Sequence, residues 1–230
     1  IVTGVGLSAL GVFYAIPLMA FIFAMLTLLL VYSIAKSGSG TPILRLLLAG
    51  IAVSSFFSSL ISVLISMAEE GAHAAFNWLF GGFPMSRWEY INVATPIILL
   101  SSAIIYIYAR ELNALLLGDE EAIHLGVNVE KLRNRMLILS SLITAVAVSI
   151  SGIIGFVGLI VPHMTRILVG SDHRILIPSS ALVGASLLVI CDAAARTILR
   201  PIALPTGVVT ALLGAPFFIY LLRRGTKIAM

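Results

Sequence analysis

Seven stretches of this chain carry no Asp, Glu, Lys or Arg: residues 1–35, 46–68, 71–86, 90–109, 136–165, 175–191 and 201–222. A helix needs about 20 apolar residues to cross the roughly 30 Å hydrocarbon core of a bilayer. Runs 46–68, 90–109, 175–191 and 201–222 each fit one such helix. Run 1–35 is too long for one, and a break is expected near Gly11. That leaves Ile1–Leu10 as the tail of an incomplete helix and Val12–Ala35 as a full span. Run 136–165 is also too long. It is expected to turn within Gly152–Val161 and to continue from about Pro162, since proline suits the first turn of a helix. Run 71–86 is too short and holds His73, Asn77, Gly81, Gly82 and Pro84. It predicts a short interfacial or re-entrant helix, with Trp78 and Trp88 at the headgroups. The expected class is an all-α polytopic membrane protein, about seven transmembrane helices plus an N-terminal remnant, with residues 1–230 forming one transmembrane domain.

Composition excludes the soluble alternatives. Charged residues make up 10% of the chain and hydrophobic ones 60%, with a mean hydropathy of +1.13. Soluble domains carry about 25% charged residues, and surface grows too nearly with mass for a fold of this size to hide so much apolar area. Lipid is therefore the solvent for most of the chain. Long apolar runs without strand alternation exclude a β-barrel. The net charge of +4 is spread along the sequence, whereas nucleic-acid binding requires a basic patch. A single cysteine, Cys191, permits no disulfide framework and reads as a small buried apolar residue. The chain opens apolar at Ile1 without the basic segment or cleavage site of a signal peptide, so further helices are expected upstream. Alternating the spans puts eleven Lys and Arg residues on one side and Arg87, Arg196 and Arg200 on the other. Basic loops face the cytoplasm, which assigns the C-terminus and the 110–135 connection to that side and the 67–89 loop to the outside.

Four features could carry function. The 110–135 connection is the most polar stretch, and its Leu117-Gly118-Asp119-Glu120-Glu121-Ala122-Ile123-His124-Leu125-Gly126 segment brackets about two helical turns between glycines. A short amphipathic helix there could dock on a cytosolic partner, or the glycines could merely punctuate a solvated loop. Ser54, Ser58, Ser62 and Ser66 recur every four residues and share one helix face. Such a face can line a hydrated pathway or admit a neighbouring backbone, packing being the commoner use. Gly152, Gly155 and Gly158, three apart, predict a bare surface for tight contact ahead of Pro162, His163 and Arg166. Asp192 and Arg196 are spaced i, i+4 with the acid first, the favourable order for a mutual ion pair; contact with a partner is the sharper alternative. His163 has no carboxylate or cysteine beside it and does not make a metal site. Nucleophile-elbow, zincin and Walker A patterns are absent from the sequence, and the spans hold no Asp or Glu for a proton relay.

These residues resemble the FecCD family of ABC importer permeases, the membrane subunits of cobalamin, haem and iron–siderophore importers. The match runs through Arg45-Leu46-Leu47-Leu48-Ala49-Gly50, Trp78-Leu79-Phe80-Gly81-Gly82 and the Leu117–Gly126 segment. It continues through Gly155-Phe156-Val157-Gly158-Leu159-Ile160-Val161-Pro162-His163-Met164-Thr165-Arg166, then Gly170, Asp172, His173 and Arg174. Asp192, Ala195 and Arg196 follow, then Leu204-Pro205-Thr206-Gly207 and Leu213-Gly214-Ala215-Pro216. The resemblance implies the last seven helices of a ten-helix permease and import by alternating access between two permease copies. It implies no catalytic residue and no bound cofactor, because ATP and magnesium sit on two separate ATP-binding subunits. It makes Leu117, Gly118, Glu120, Ala122, Leu125 and Gly126 the ATPase-coupling segment and gives Ser54, Ser58, Ser62 and Ser66 to the translocation pathway. Gly38, Ser39 and Gly40 correspond to a cytoplasmic gate loop, and Arg87 and Arg200 to contacts with an outer substrate-binding protein. A secondary transporter, an intramembrane enzyme and a truncated, inactive permease are the rival readings. No residue chooses among iron chelate, haem and cobalamin as cargo.

Overall fold

The computed structural model describes residues 2–36, 43–67, 79–83, 87–199, 201 and 203–224. Among these, every regular element is helical: α1 (Val2–Ala35), α2 (Ile43–Met67), α3 (Trp88–Ile107), α4 (Ala109–Leu115), α5 (Asp119–His124), α6 (Val129–Ser151), α7 (Val157–Val169), α8 (His173–Thr197) and α9 (Thr206–Arg224). Five of them, α1, α2, α3, α6 and α8, are long and apolar enough to cross a membrane, while α7 and α9 are shorter apolar helices. The 71–86 run falls mostly outside the described residues, so the expected re-entrant helix is not described beyond Leu79–Phe83.

Two expected boundaries are corrected. α1 runs through Gly11 as one helix of 34 residues, about 51 Å at 1.5 Å per residue. An interior glycine costs a helix only about 1 kcal/mol, far less than exposing broken backbone hydrogen bonds to lipid. The 136–165 run turns within the expected Gly152–Val161 window, α6 ending at Ser151, but the second helix begins earlier than expected, at Val157. Pro162 therefore lies inside α7 rather than at its start. Gly152, at φ 67°, terminates α6, and Phe156, also at φ 67°, reverses the chain. Phe156 is the one described non-glycine residue in the left-handed region.

Small residues make up about half of the core, beside Leu132, Ile160, Leu176 and several valines. Ala94, Ala109, Ala122, Ala145, Ala195 and Cys191 are buried, while many Leu, Ile and Phe side chains on the long helices are exposed. Small residues let helices approach closely where lipid already satisfies the large apolar ones. α6 packs against α1 and α3, α8 against α7 and α9, and α2 chiefly against α1.

Candidate functional site

The polar segment between α3 and α6 folds as a pair of short helices. Tyr108 breaks the α3–α4 line, with its backbone N–H donating to the Ile105 and Tyr106 carbonyls. Gly118, at φ 115°, sets the α4–α5 turn, and a Cβ there would also meet Glu121 Oε2 at 2.6 Å. Gly126, at φ 84°, closes the other end. The sequence expectation of a two-turn helix held between these glycines is thus met. Ala122, at 0% exposure, is its inward anchor, and its carbonyl accepts from the Val127 N–H at 3.0 Å. Glu120 is exposed. So are the apolar side chains Leu117 (64%), Ile123 (59%) and Leu125 (64%), together with Leu116.

Two tethers fix this pair to the membrane helices. On α5, both Asp119 carboxylate oxygens accept from Arg133 Nη2 of α6 at 2.9 Å. On α4, Asn113 Nδ2 donates to Asp172 Oδ1 at 2.6 Å. Asn113 Oδ1 accepts from the His173 backbone N–H at 2.8 Å and lies 2.7 Å from His173 Nδ1. An amide oxygen only accepts, so that imidazole carries its proton on Nδ1. Asp172 is at the same time the N-cap of α8, accepting from the Arg174 N–H at 3.0 Å. The Asn113 hydrogen bond, followed by that from the Arg174 backbone, holds the Asp172 carboxyl below the usual aspartate value. Sequence reading missed Asn113; Asp172 before an apolar run was a legible N-cap signal, but its partner 59 residues away was not. The second turn of α6 ties further elements: Tyr32 of α1 donates to Asn134 at 3.3 Å, and Arg135 donates to Tyr108 Oη at 2.9 Å.

The family-motif residues Gly155, Phe156, Asp192, Arg196, Pro205 and Gly207 gather at the opposite end of α6 and α8, whereas Arg166, in the last turn of α7, lies near His173 at the α4–α5 end. Gly82 N–H donates to Ser151 O at 2.7 Å and Gly207 N–H to Gly81 O at 3.2 Å. A Cβ on Gly207 would collide with Phe80 O and Ile153 O, and one on Gly214 with Phe156 and Ile160. The Gly81–Gly82, Gly152–Phe156 and Pro205–Gly214 segments, far apart in sequence, therefore meet in one backbone junction. Gly155 and Gly158 do not supply the tight contact expected of them, since a Cβ on either meets nothing within 4 Å. The close approaches fall instead on Gly81, Gly207 and Gly214. Asp192 and Arg196 form the expected ion pair, Nε to Oδ2 at 2.7 Å, and Asp192 Oδ1 also accepts from Thr206 Oγ1 at 2.9 Å. Pro205 leads into α9 and Pro216 lies within it. His163 is half-buried and Arg166 exposed on α7.

The serine face is exposed: Ser54, Ser58, Ser62 and Ser66 all lie open on α2. Ser62 and Ser66 donate to backbone carbonyls of their own helix at 2.8 and 2.7 Å, so their hydroxyl protons need no neighbouring helix. Arg87 is the exposed N-cap residue of α3. Gly38, Ser39, Gly40 and Arg200 lie outside the described residues.

Comparison with known proteins agrees with this arrangement. The model of the FecCD transport family matches residues 1–224. The chain is 45% identical over 205 residues to a cobalamin import system permease protein of Halobacterium salinarum, covering 89% of this chain and 55% of that protein. It is 40% identical over 206 residues to a hemin transport system permease protein of Yersinia pestis, covering 89% and 61%. A solved chain, described as an inward-facing conformation of a metal-chelate type ABC transporter, superposes with a TM-score of 0.79 at 37% identity, covering 89% of this chain and 65% of that one. The chain thus spans 55% and 61% of the length of these two curated relatives.

Proposed function

Because the chain belongs to the FecCD transport family, we propose that it is the transmembrane permease part of an ATP-driven importer in a prokaryotic cell membrane. It works beside a second permease copy, two ATP-binding subunits and an outer substrate-binding protein. The cargo is an iron chelate, haem or cobalamin. The subunit breaks no bonds itself, and ATP and magnesium are held by its partners. Alternating access between the two copies moves the cargo, with the 110–135 region and the C-terminus on the cytoplasmic side, as the distribution of basic residues supports.

The observation that carries this reading is the α4–α5 pair. Leu116, Leu117, Ile123 and Leu125 are held out at the most polar end of the chain, where water would otherwise meet them. An exposed apolar cluster rimmed by charge marks a docking surface, and a short helix presenting it fits a groove on a partner. Ala122 seals the inner face, so the cluster cannot turn inward without opening the fold. Ser54, Ser58, Ser62 and Ser66 border the pathway, Gly38–Gly40 form the gate loop, and Arg87 and Arg200 meet the binding protein.

The test is Ile123→Asp with Leu125→Asp, and separately Glu120→Arg, in the full-length permease co-expressed with its ATP-binding subunit. Permease insertion should persist while co-purification of the ATPase and ATP-dependent uptake fall by about tenfold or more, as loss of an apolar hot spot requires. Assembly and uptake at the unaltered level in all variants would overturn the assignment.

A further inference from the structure

The two ends of the molecule are joined by a closed hydrogen-bonded circuit. α6 and α8 both run from the α4–α5 end to the far end. At the near end, Asn113 latches α4 to the start of α8, and Asp119 latches α5 to α6. At the far end, Asp192 near the end of α8 holds Thr206, the first residue of α9. Leu204 N–H donates to Ala195 O at 3.1 Å beside it. The start of α9 then holds Gly81, and Gly82 holds Ser151 at the end of α6. Two helical uprights are thus crossed at both ends.

We propose that Asp192 and Thr206 are positioning residues that make this circuit a lever, carrying displacement between the α4–α5 end and the far end. This rests on the reading above that α5 docks on an ATP-binding subunit. Thr206 is only 2% exposed, so its hydroxyl has no water to turn to if the Asp192 bond opens, and an unsatisfied buried hydroxyl is costly. Asp192 is oriented from its other oxygen by Arg196, which leaves Oδ1 directed at α9. Backbone closeness at Gly207 and Gly214 removes the slack that larger side chains would leave, and a close-packed junction shifts as a unit instead of deforming gradually. α1 and α2 lie outside the circuit. α1 reaches it through helix packing on α6 and the Tyr32–Asn134 bond.

The experiment uses the full-length permease with its ATP-binding subunits in nanodiscs, in a Cys191→Ala background. Single reporters His124→Cys (near end) and Ala203→Cys (far end), at exposed positions, are labelled with a membrane-impermeant maleimide, with and without ATP, magnesium and vanadate. The far-end labelling rate should change about fivefold on nucleotide trapping, within the ordinary range of coupling between sites. Thr206→Val should abolish that change, and Thr206→Ser, which keeps the hydroxyl, should retain it. Where Thr206→Val fails to assemble, Asp192→Asn takes its place and should shrink the response. A full response in Thr206→Val, or its loss in Thr206→Ser, would overturn the proposal. So would a far-end reporter blind to nucleotide while His124→Cys is protected by the ATP-binding subunits, a result that leaves the docking reading standing. Equal labelling of His124→Cys with and without those subunits would overturn the docking reading, and the lever with it.

Discussion

A Cβ on Gly207 would overlap the carbonyl oxygens of Phe80 and Ile153, and one on Gly214 would overlap Phe156 and Ile160. Gly155 has open space at the same position. Gly207→Ala and Gly214→Ala are therefore expected to destabilise the protomer by about 1–3 kcal/mol or more, the range for overpacking, while Gly155→Ala changes stability by less than about 0.5 kcal/mol. Thermal unfolding in detergent checks the contrast, and equal shifts for all three would contradict it. Spacing alone favoured Gly152, Gly155 and Gly158 as the contact surface, because small residues at regular intervals describe one helix face. The chain leaves the helix at Gly152, so that face does not exist. Which glycine is crowded depends on backbone arriving from residues 80–82, and no local pattern encodes that arrival.

One of the bonds that latch α4 to α8 ends on a titratable carboxylate. Asp172 titrates below its ordinary value because Asn113 and the Arg174 backbone donate to it. A carboxyl with a lowered folded value stabilises the folded state above its unfolded value near 3.8 and loses that contribution as pH falls through the lower one. Amide hydrogen-exchange protection across Ala109–Leu115, taken relative to the intrinsic rate at each pH, should therefore weaken as pH falls below about 3.8. Asp172→Asn should flatten that pH dependence, and an unchanged profile in the variant would disconnect the latch from Asp172. At this level much was legible: the spans at 46–68, 90–109 and 175–191 appear as α2, α3 and α8, and Gly118 and Gly126 bracket α5. What was not legible follows from energetics that a pattern does not weigh. Gly11 is cheaper to keep helical than to break in lipid, and Pro162 is tolerated inside α7 as intramembrane prolines are. Phe156 adopts a left-handed conformation costing about 1–3 kcal/mol, sustained by its seat against Gly214.

The molecule as a whole divides into a braced bundle, α3 to α9 with α1 packed along α6, and a less attached helix, α2. Ser58 and Ser62 sit on the exposed face of α2. Single cysteines there should react with small water-soluble thiol reagents in at least one nucleotide state of the assembled transporter; complete protection in every state would assign the face to packing between copies. The family and the membrane class were readable from motif order and hydropathy, because both are spread along the chain. The bracing was not, because each of its bonds joins residues that neither periodicity nor spacing pairs. α2 packs chiefly on α1 and shows most of its surface. A helix with so little of its own chain around it opens at low free energy. On the proposed reading, a copy not yet joined to a second permease spends longer in that opened form, within reach of membrane proteolysis. The amount of this chain in a cell would then follow the supply of what covers α2 more than its own rate of synthesis.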